Sequence, residues 1–199
     1  PLPIRDGLNP THARVPEGPI TAWDFVRELI LTQRHRHPED NDDALRVRFA
    51  AGEVVRQDGT ALNPDSILAT NGTVYFYRIP APETPVPYNI SVLHEDEHLL
   101  VVDKPPFMAT MPRARHITET ATVRLRRATG NNELSPAHRL DRLTSGILVF
   151  TKDRSVRGAY QTLFAQRRVS KTYEAIAALA DVSPGTLWRS RMEKTPGAV

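Results

Sequence analysis

The chain of 199 residues contains no cysteine, and this absence removes several classes of function at once. Without thiols there is no disulfide, no thiolate nucleophile and no zinc site built on cysteine ligands. No apolar run approaches the roughly 18 residues that a membrane-spanning helix needs, and no secretory leader is recognisable. We therefore expect a cytoplasmic protein that does not enter a membrane and whose chemistry requires no cofactor.

Excess charge is also small, since the formal net charge is only +3, but the basic residues are concentrated in one part of the chain. They lie before, within and after residues 138–146: Arg113, Arg115, His116, Arg124, Arg126 and Arg127, then Arg139 and Arg142, then Lys152, Arg154, Arg157, Arg167, Arg168 and Lys171. Arginine dominates, and its planar guanidinium binds phosphate through two parallel hydrogen bonds. The pattern indicates a nucleic-acid partner, although any single member is better explained as part of a solvated surface.

The most informative segment is residues 138–146, with the sequence HRLDRLTSG. It places Asp141 between Arg139 and Arg142, and cations beside a carboxylate favour its ionised form. Taken alone, such a cluster is usually a surface ion pair. The next residues, 147–151, are however apolar and β-branched, which is typical of a buried strand. The segment therefore predicts an ionised Asp141 on a loop that leads into a core strand.

These nine residues resemble the central motif of the RluA-type pseudouridine synthases, a large family that modifies ribosomal and transfer RNA. Residues 95–105 (EDEHLLVVDKP) resemble the first block of that family, and residues 171–175 (KTYEA) match its Lys-x-Tyr-x-Ala block. The resemblance implies conversion of uridine to pseudouridine in RNA, in which the N1–C1′ bond breaks and a C5–C1′ bond forms without a metal, nucleotide or redox cofactor.

The resemblance also implies roles for individual residues. Asp141 would be catalytic, either through covalent attack on the ribose or base or through elimination of the C2′ hydrogen. Tyr173 would stack on the extruded base, and Arg139 would reach into the RNA near the vacated position. The remaining candidate substrate-binding residues are His138, Arg142, Thr144 and Lys171.

The fold class that we predict is α+β, in two modules. A proline-spaced stretch, residues 80–87, predicts an extended linker. Residues 1–79 combine an irregular proline-rich arm, a helix that starts near Thr21, a second helix capped by Asp42 or Asp43, and a strand at residues 73–77. This order resembles a degenerate S4-type RNA-binding domain, in which Arg46, Arg48 and Arg56 would contact phosphate.

Residues 88–199 resemble the front part of a mostly antiparallel synthase catalytic domain. We predict helices at residues 118–129 and 152–166 and a strand at residues 171–177. Tyr160, Leu163 and Phe164 form the apolar side of the second helix and are expected in the core. Two later elements of the family pattern are missing, namely an arginine that pairs with the catalytic Asp and an apolar residue that packs on the base. The pattern thus predicts a C-terminally truncated domain with exposed sheet edges.

The expected partner is RNA, and ribosomal RNA is favoured over transfer RNA because an S4-like domain accompanies ribosomal targets more often in the family. The protein is expected to be a monomer. Two alternatives remain. One is a non-catalytic RNA-binding module that retains the synthase fold. The other is a zinc hydrolase, because residues 94–98 match His-Glu-x-x-His, but flanking β-branched runs predict strand, turn and strand there rather than the required helix.

Overall fold

A computed structural model describes residues 1–178, 183, 185–187, 189 and 191. The chain divides into two compact units, residues 1–168 and 169–199, and each is described by itself. Within the described residues, no helix combines the length and apolar character needed to cross a membrane.

The N-terminal half of the first unit contains two helices and five short strands: β1 (Thr11–Arg14), β2 (Ile20–Thr21), α1 (Ala22–Leu31), α2 (Asp42–Ala50), β3 (Val54–Arg56), β4 (Ile67–Leu68) and β5 (Thr73–Phe76). Strand β5 lies between β1 and β3, and β2 pairs with β4, in every case antiparallel. The prediction of an irregular arm is wrong at β1, because that segment obtains its ladder hydrogen bonds from β5, which is distant in sequence.

Side-chain caps fix the starts of both helices. Thr21 Oγ1 accepts a hydrogen bond from the Asp24 N–H at 3.0 Å, which confirms the predicted cap of α1. The cap of α2 is Asn41 rather than either predicted aspartate, since its Oδ1 accepts from the N–H groups of Asp43 and Ala44. The apolar faces of the two helices pack on the sheet and form one buried cluster, whose members include Val15, Phe25, Val26, Ile30, Leu45 and Phe76.

The second half of the unit is built on a four-stranded antiparallel sheet. Its elements are β6 (Ser91–Glu95), β7 (Leu99–Lys104), α3 (Ala121–Thr129), β8 (Ser135–Pro136), β9 (Gly146–Thr151) and α4 (Arg154–Ala165). The strand order is β6, β7, β9, β8, and the core beneath the sheet includes Leu100, Val102, Met108, Leu125, Leu148 and Phe150. The prediction of mixed helices and a mostly antiparallel sheet is therefore confirmed.

Strands β6 and β7 form a hairpin across residues 94–98, as predicted for the His-Glu-x-x-His match. His94 is on β6 and contacts Asp96, whereas His98 lies in the turn and contacts Asp153. No group of three or more metal-ligating side chains occurs among the residues described. The local structure is thus the hairpin rather than a helix that would present both imidazoles to one ion.

The linker, residues 80–87, has no regular secondary structure but is firmly attached. Glu83 Oε1 accepts hydrogen bonds from the N–H groups of Ile117 and Thr118, at 2.8 and 2.6 Å. The Val86 N–H donates to Glu119 at 2.8 Å. Glu83 therefore accepts the N–H groups that a helix starting at the predicted residue 118 would present. Because Thr120 is the residue that caps the helix, α3 begins at residue 121.

Two predictions about burial and pairing are wrong. Helix α4 buries no residue, although Tyr160, Leu163 and Phe164 were expected in the core. Residues 171–178, in the second unit, have no regular secondary structure instead of the predicted strand. An apolar or alternating pattern describes one side of an element, whereas burial and strand pairing require a second element opposite it.

Candidate active site

Asp141 lies in the exposed turn that leads into β9. The Thr144 N–H donates to the Asp141 carbonyl at 3.1 Å and closes the turn, so Thr144 acts here through its backbone. Gly146 then begins β9 with φ of 118°, a left-handed conformation that side chains disfavour. The carboxylate is exposed, so a substrate can approach it from solvent.

Thr110 fixes the residue before Asp141. Its buried hydroxyl donates to the Leu140 carbonyl at 2.7 Å and accepts from the Leu140 N–H at 3.1 Å. The Thr110 carbonyl in turn accepts from the Thr122 hydroxyl at 2.7 Å. A buried chain of hydrogen bonds therefore connects the first turn of α3 to the backbone next to Asp141.

Lys104 supports the same region from the end of β7. Its side chain is fully buried, and Nζ donates to the carbonyls of Pro105 and Met108, each at 2.8 Å. Burial lowers the pKa of Lys104 to about 8, while the negative charges of Asp103 and then Asp141 oppose this effect. Lys104 also pairs in register with Gly146, the first residue of β9. The buried ammonium therefore belongs to the residue directly beside the start of β9, where the Asp141 turn ends.

Phe107, on the loop that Lys104 holds, forms an exposed aromatic pair with Tyr88, which precedes β6. Tyr88 and Phe107 stack with ring centroids 6.3 Å apart, and Phe107 has φ of 67°, which is uncommon for a bulky residue and often marks a functional site. Both rings line a cavity of about 650 Å³ together with Arg115, His116 and Arg142. We call it the Arg142 cavity. It places stacking surfaces and cations beside the Asp141 turn.

The flanking arginines do not bind Asp141. Arg139 is exposed and Arg142 is partly buried, and within the described part of the chain neither guanidinium is in ion-pair contact with the carboxylate. Both cations therefore stay available to an anionic ligand. Burial, Arg115 and Arg142 lower the pKa of the nearby His116, and Glu83 opposes them, so this imidazole is neutral at neutral pH.

His138 has a structural position. Its Nε2 accepts a hydrogen bond from the Val149 N–H of β9 at 3.2 Å, and its ring stacks on Phe164 of α4 at 4.3 Å. A ring nitrogen that accepts from a backbone N–H carries no proton, so this imidazole is neutral in that arrangement. His138 thus attaches the motif to β9 and α4, and its contact with substrate stays a prediction.

Several arginines of the predicted phosphate-binding cluster contact the protein itself. Arg126 donates to the Gly7 carbonyl at 3.1 Å, and Arg127 pairs with Asp6 at 2.5 Å. Arg124 pairs with Glu119 at 3.5 Å, and Arg157 donates to the Glu133 carbonyl at 2.7 Å. By contrast, Arg113, Arg115 and Arg139 are exposed. Position in the fold, rather than residue type, separates structural arginines from candidate ligands of RNA.

Lys171 and Tyr173 belong to the second unit. Tyr173 is 60% exposed in a segment without regular structure, so its ring is open to solvent. The base-stacking role of Tyr173 stays a prediction, as does substrate contact by Lys171.

Four residues near Asp141 were not assigned a role from the sequence: Tyr88, Lys104, Phe107 and Thr110. Lys104 carried a usable signal, because a lysine directly before Pro105-Pro106 at the end of an apolar strand is an unusual place for a solvated charge. The other three carried none, since their contacts connect segments up to 30 residues apart.

Comparison with known proteins places this site in a family. A family model described as RNA pseudouridylate synthase matches residues 98–197, about half of the chain. The chain is 29% identical over 153 residues to an RNA pseudouridine synthase of Synechocystis, covering 77% of this chain and 52% of that protein. It is 31% identical over 156 residues to ribosomal large subunit pseudouridine synthase D of Xanthomonas campestris, covering 75% and 47%.

A third relative, tRNA pseudouridine synthase C of Vibrio parahaemolyticus, is 35% identical over 92 residues, which covers 45% of this chain and 37% of the relative. The chain spans about half, or less, of the length of these relatives. The matched residues include the Asp141 turn, Lys104, Thr110 and Tyr173. The chain therefore belongs to the RNA pseudouridine synthase family.

Proposed function

We propose that this protein converts uridine to pseudouridine in RNA, with Asp141 as the catalytic residue and without a cofactor. The observation that carries the proposal is the placement of Asp141. Its carboxylate is exposed to solvent, yet the preceding residue is held by two hydrogen bonds to the buried Thr110 hydroxyl. A rigid backbone under an accessible carboxylate is what positioned chemistry on a bound nucleotide requires.

The chemistry is an internal transfer, so its atoms balance without a co-reactant. The N1–C1′ bond breaks, the uracil turns while it stays bound, and a C5–C1′ bond forms. The C5 hydrogen leaves as a proton, and N1 gains a proton. Asp141 either forms a covalent bond to the ribose or base or acts as the base that removes the C2′ hydrogen.

A uridine must leave its stack before it can react, and lost stacking costs a few kcal/mol. The Arg142 cavity supports this step, because Tyr88 and Phe107 offer aromatic surfaces beside Arg115 and Arg142. We propose that Arg139 and Arg142 bind the RNA on either side of the reacting nucleotide. Tyr173 and Lys171 are proposed to contact the extruded base and its phosphate.

Release of tritium from RNA labelled at uridine C5 tests the proposal directly. The wild-type protein should release label, and Asp141→Ala should reduce the rate by at least about a thousandfold while retaining RNA binding. Asp65→Ala, which removes an exposed carboxylate in the N-terminal half, is the matched control and should keep the wild-type rate. Equal release by wild type and Asp141→Ala would refute the catalytic assignment.

A second candidate is an RNA-binding module without catalysis. The exposed cations Arg113, Arg115 and Arg139 favour it, because they can bind phosphates whether or not Asp141 reacts. Negligible release from both wild type and Asp141→Ala, with binding intact in both, would support this candidate.

For the substrate class, we propose ribosomal RNA in preference to transfer RNA. One relative is named for the ribosomal large subunit and another for tRNA, so the substrates must be compared in one assay. Faster release from labelled ribosomal RNA than from labelled transfer RNA would support the proposal, and the reverse order would overturn it.

A further inference from the structure

A second cavity in the first unit has an unusually basic wall. Its volume is about 930 Å³, and none of residues 138–146 line it. We call it the arginine cavity after its six arginines: Arg5, Arg34, Arg48, Arg78, Arg113 and Arg127. They come from the N-terminal segment, from the region around α1 and α2, from the end of β5, and from the loop before α3 and α3 itself. The fold thus collects cations that are far apart in the sequence.

Only half of these arginines have an acidic partner. Three form ion pairs: Arg5 with Glu53, Arg127 with Asp6, and Arg48 with Asp40. Among the described residues, the other three are in ion-pair contact with no carboxylate: Arg34, Arg78 and Arg113. The wall therefore carries an excess of positive charge.

Part of this basic wall is buried, which makes it more than a solvated patch. Arg48 is 5% exposed and Asp40 is fully buried. One Asp40 oxygen accepts from Arg48 and the other from the Ile79 N–H at 3.2 Å. Arg48 Nη1 and Arg78 Nε are both buried and find no hydrogen-bond partner among the residues that the structure describes. Buried N–H donors of this kind normally have an acceptor.

The electrostatics of Arg78 agree with this geometry. Burial lowers the pKa of its guanidinium, the negative charge of Asp40 opposes that effect, and the positive charge of Arg48 adds to it. An anion in the cavity would offset the effect of burial by supplying the missing countercharge.

The arginine cavity neighbours the Arg142 cavity, which lies beside Asp141. His35 and Ala81 line both. The loop before α3 also connects them, because Arg113 lines the first and Arg115 lines the second. Arginines therefore line both neighbouring cavities, with Arg78 and Arg113 in the first and Arg115 and Arg142 in the second. Cations distributed over two neighbouring cavities fit consecutive phosphates of one strand better than a single small anion.

We propose that the arginine cavity binds a backbone phosphate of the RNA at a distance from the reacting uridine, with Arg78 as the central contact and Arg34 and Arg113 beside it. The identity of the polyanion rests on the proposed function, whereas the anion site itself rests on the buried guanidinium groups. The cavity would hold the strand in register while the target nucleotide enters the Arg142 cavity.

The test is the salt dependence of RNA binding by the whole chain, measured by fluorescence anisotropy with a labelled oligouridylate. Arg78→Gln should weaken binding about tenfold and reduce the slope of log Kd against log salt by about 0.7, the value for one lost phosphate contact on a single strand. Arg113→Gln, on an exposed loop, should act in the same direction and covers the case that Arg78→Gln fails to fold. Arg14→Gln, an exposed arginine on β1 that lines neither cavity, should leave the slope unchanged.

Two outcomes would overturn the proposal. One is an unchanged slope in folded Arg78→Gln and in Arg113→Gln. The other is saturable binding of inorganic pyrophosphate that Arg78→Gln abolishes while the RNA slope stays at the wild-type value, since that would identify a free small anion as the ligand. Tritium release reports separately on the proposed function. A reduced salt slope in the variants, without tritium release by the wild type, would refute the isomerase proposal but not the phosphate site. Tritium release by the wild type, with an unchanged salt slope in the variants, would refute only the phosphate site.

Discussion

The two halves of the first unit both bury polar groups, but they use them differently. In the N-terminal half, Asp40 and Arg48 are buried against each other as an ion pair. In the half that carries Asp141, Lys104 and Thr110 are buried against backbone carbonyls and an N–H group. The first arrangement holds two side chains together, whereas the second fixes the course of loops and leaves the reactive carboxylate outside. Substitutions should therefore separate stability from activity differently in the two halves.

The largest loss of stability is expected when the buried ion pair is broken. Asp40→Asn leaves Arg48 charged and without its partner, which should lower the free energy of unfolding by about 3 kcal/mol. Arg46→Met breaks an exposed pair with Asp43 on the same helix and should cost under about 1 kcal/mol. Urea unfolding of both variants measures the difference. Equal effects would show that burial of the Asp40–Arg48 pair does not matter for stability.

Lys104→Met should lower both stability and activity. It leaves the Pro105 and Met108 carbonyls without their donor, at a cost of about 2 kcal/mol, and it frees the loop that carries Phe107. Because the pKa of Lys104 is about 8 in the folded protein, against 10.5 for an unperturbed lysine, the unfolded chain binds more protons between those values. The free energy of unfolding should therefore rise across this interval in wild type, and the rise should be smaller in Lys104→Met.

Thr110→Val should affect activity more than stability. It removes both hydrogen bonds to Leu140 at nearly constant volume, which should lower the free energy of unfolding by about 1 to 2 kcal/mol. The resulting small displacement of Asp141 should lower kcat about ten- to a hundredfold. Thr110→Ser keeps the hydroxyl and should retain most of kcat. If both variants lose kcat equally, the methyl group rather than the hydroxyl positions the Asp141 turn.

The smallest effect is expected at the exposed turn between β6 and β7. Asp96 accepts from the N–H groups of His98 and Leu99 at 2.8 and 2.7 Å. The hydrogen bond from Leu99 lowers the pKa of Asp96 most, and the bond from His98 and the contact with His94 lower it further. Together they bring the pKa of Asp96 to about 2. The stabilisation is present above the usual pKa of 3.8 and is lost as the pH falls toward 2. Asp96→Asn should flatten the acid limb of a thermal-unfolding series, and an unchanged limb would contradict this.

Much of the local structure could be predicted because its causes are local. The cap of α1 depends on residues within one turn of the chain, and the apolar runs of β7 and β9 mark a buried sheet. The segment that carries Asp141 was also evident, since nine residues in order define it. These features follow from hydrogen bonds and periodicity inside short windows.

Partners far apart in the chain could not be predicted in the same way. Nothing in the sequence distinguishes Arg127, which pairs with Asp6, from Arg113, which is exposed. Likewise, the apolar side of α4 was evident, but its lack of buried residues was not. Each outcome depends on which surface another element presents.

By itself, the sequence determined that this protein has helices and antiparallel strands, and that an aspartate between two arginines precedes a core strand. Tertiary structure alone decided that Thr110 and Lys104 support that aspartate, that neither arginine binds it within the described part of the chain, and that six arginines distant in sequence meet around a cavity. The physical reason is range. Caps and periodicity act over a few residues, whereas desolvation and countercharge depend on every segment that the fold brings within a few ångströms.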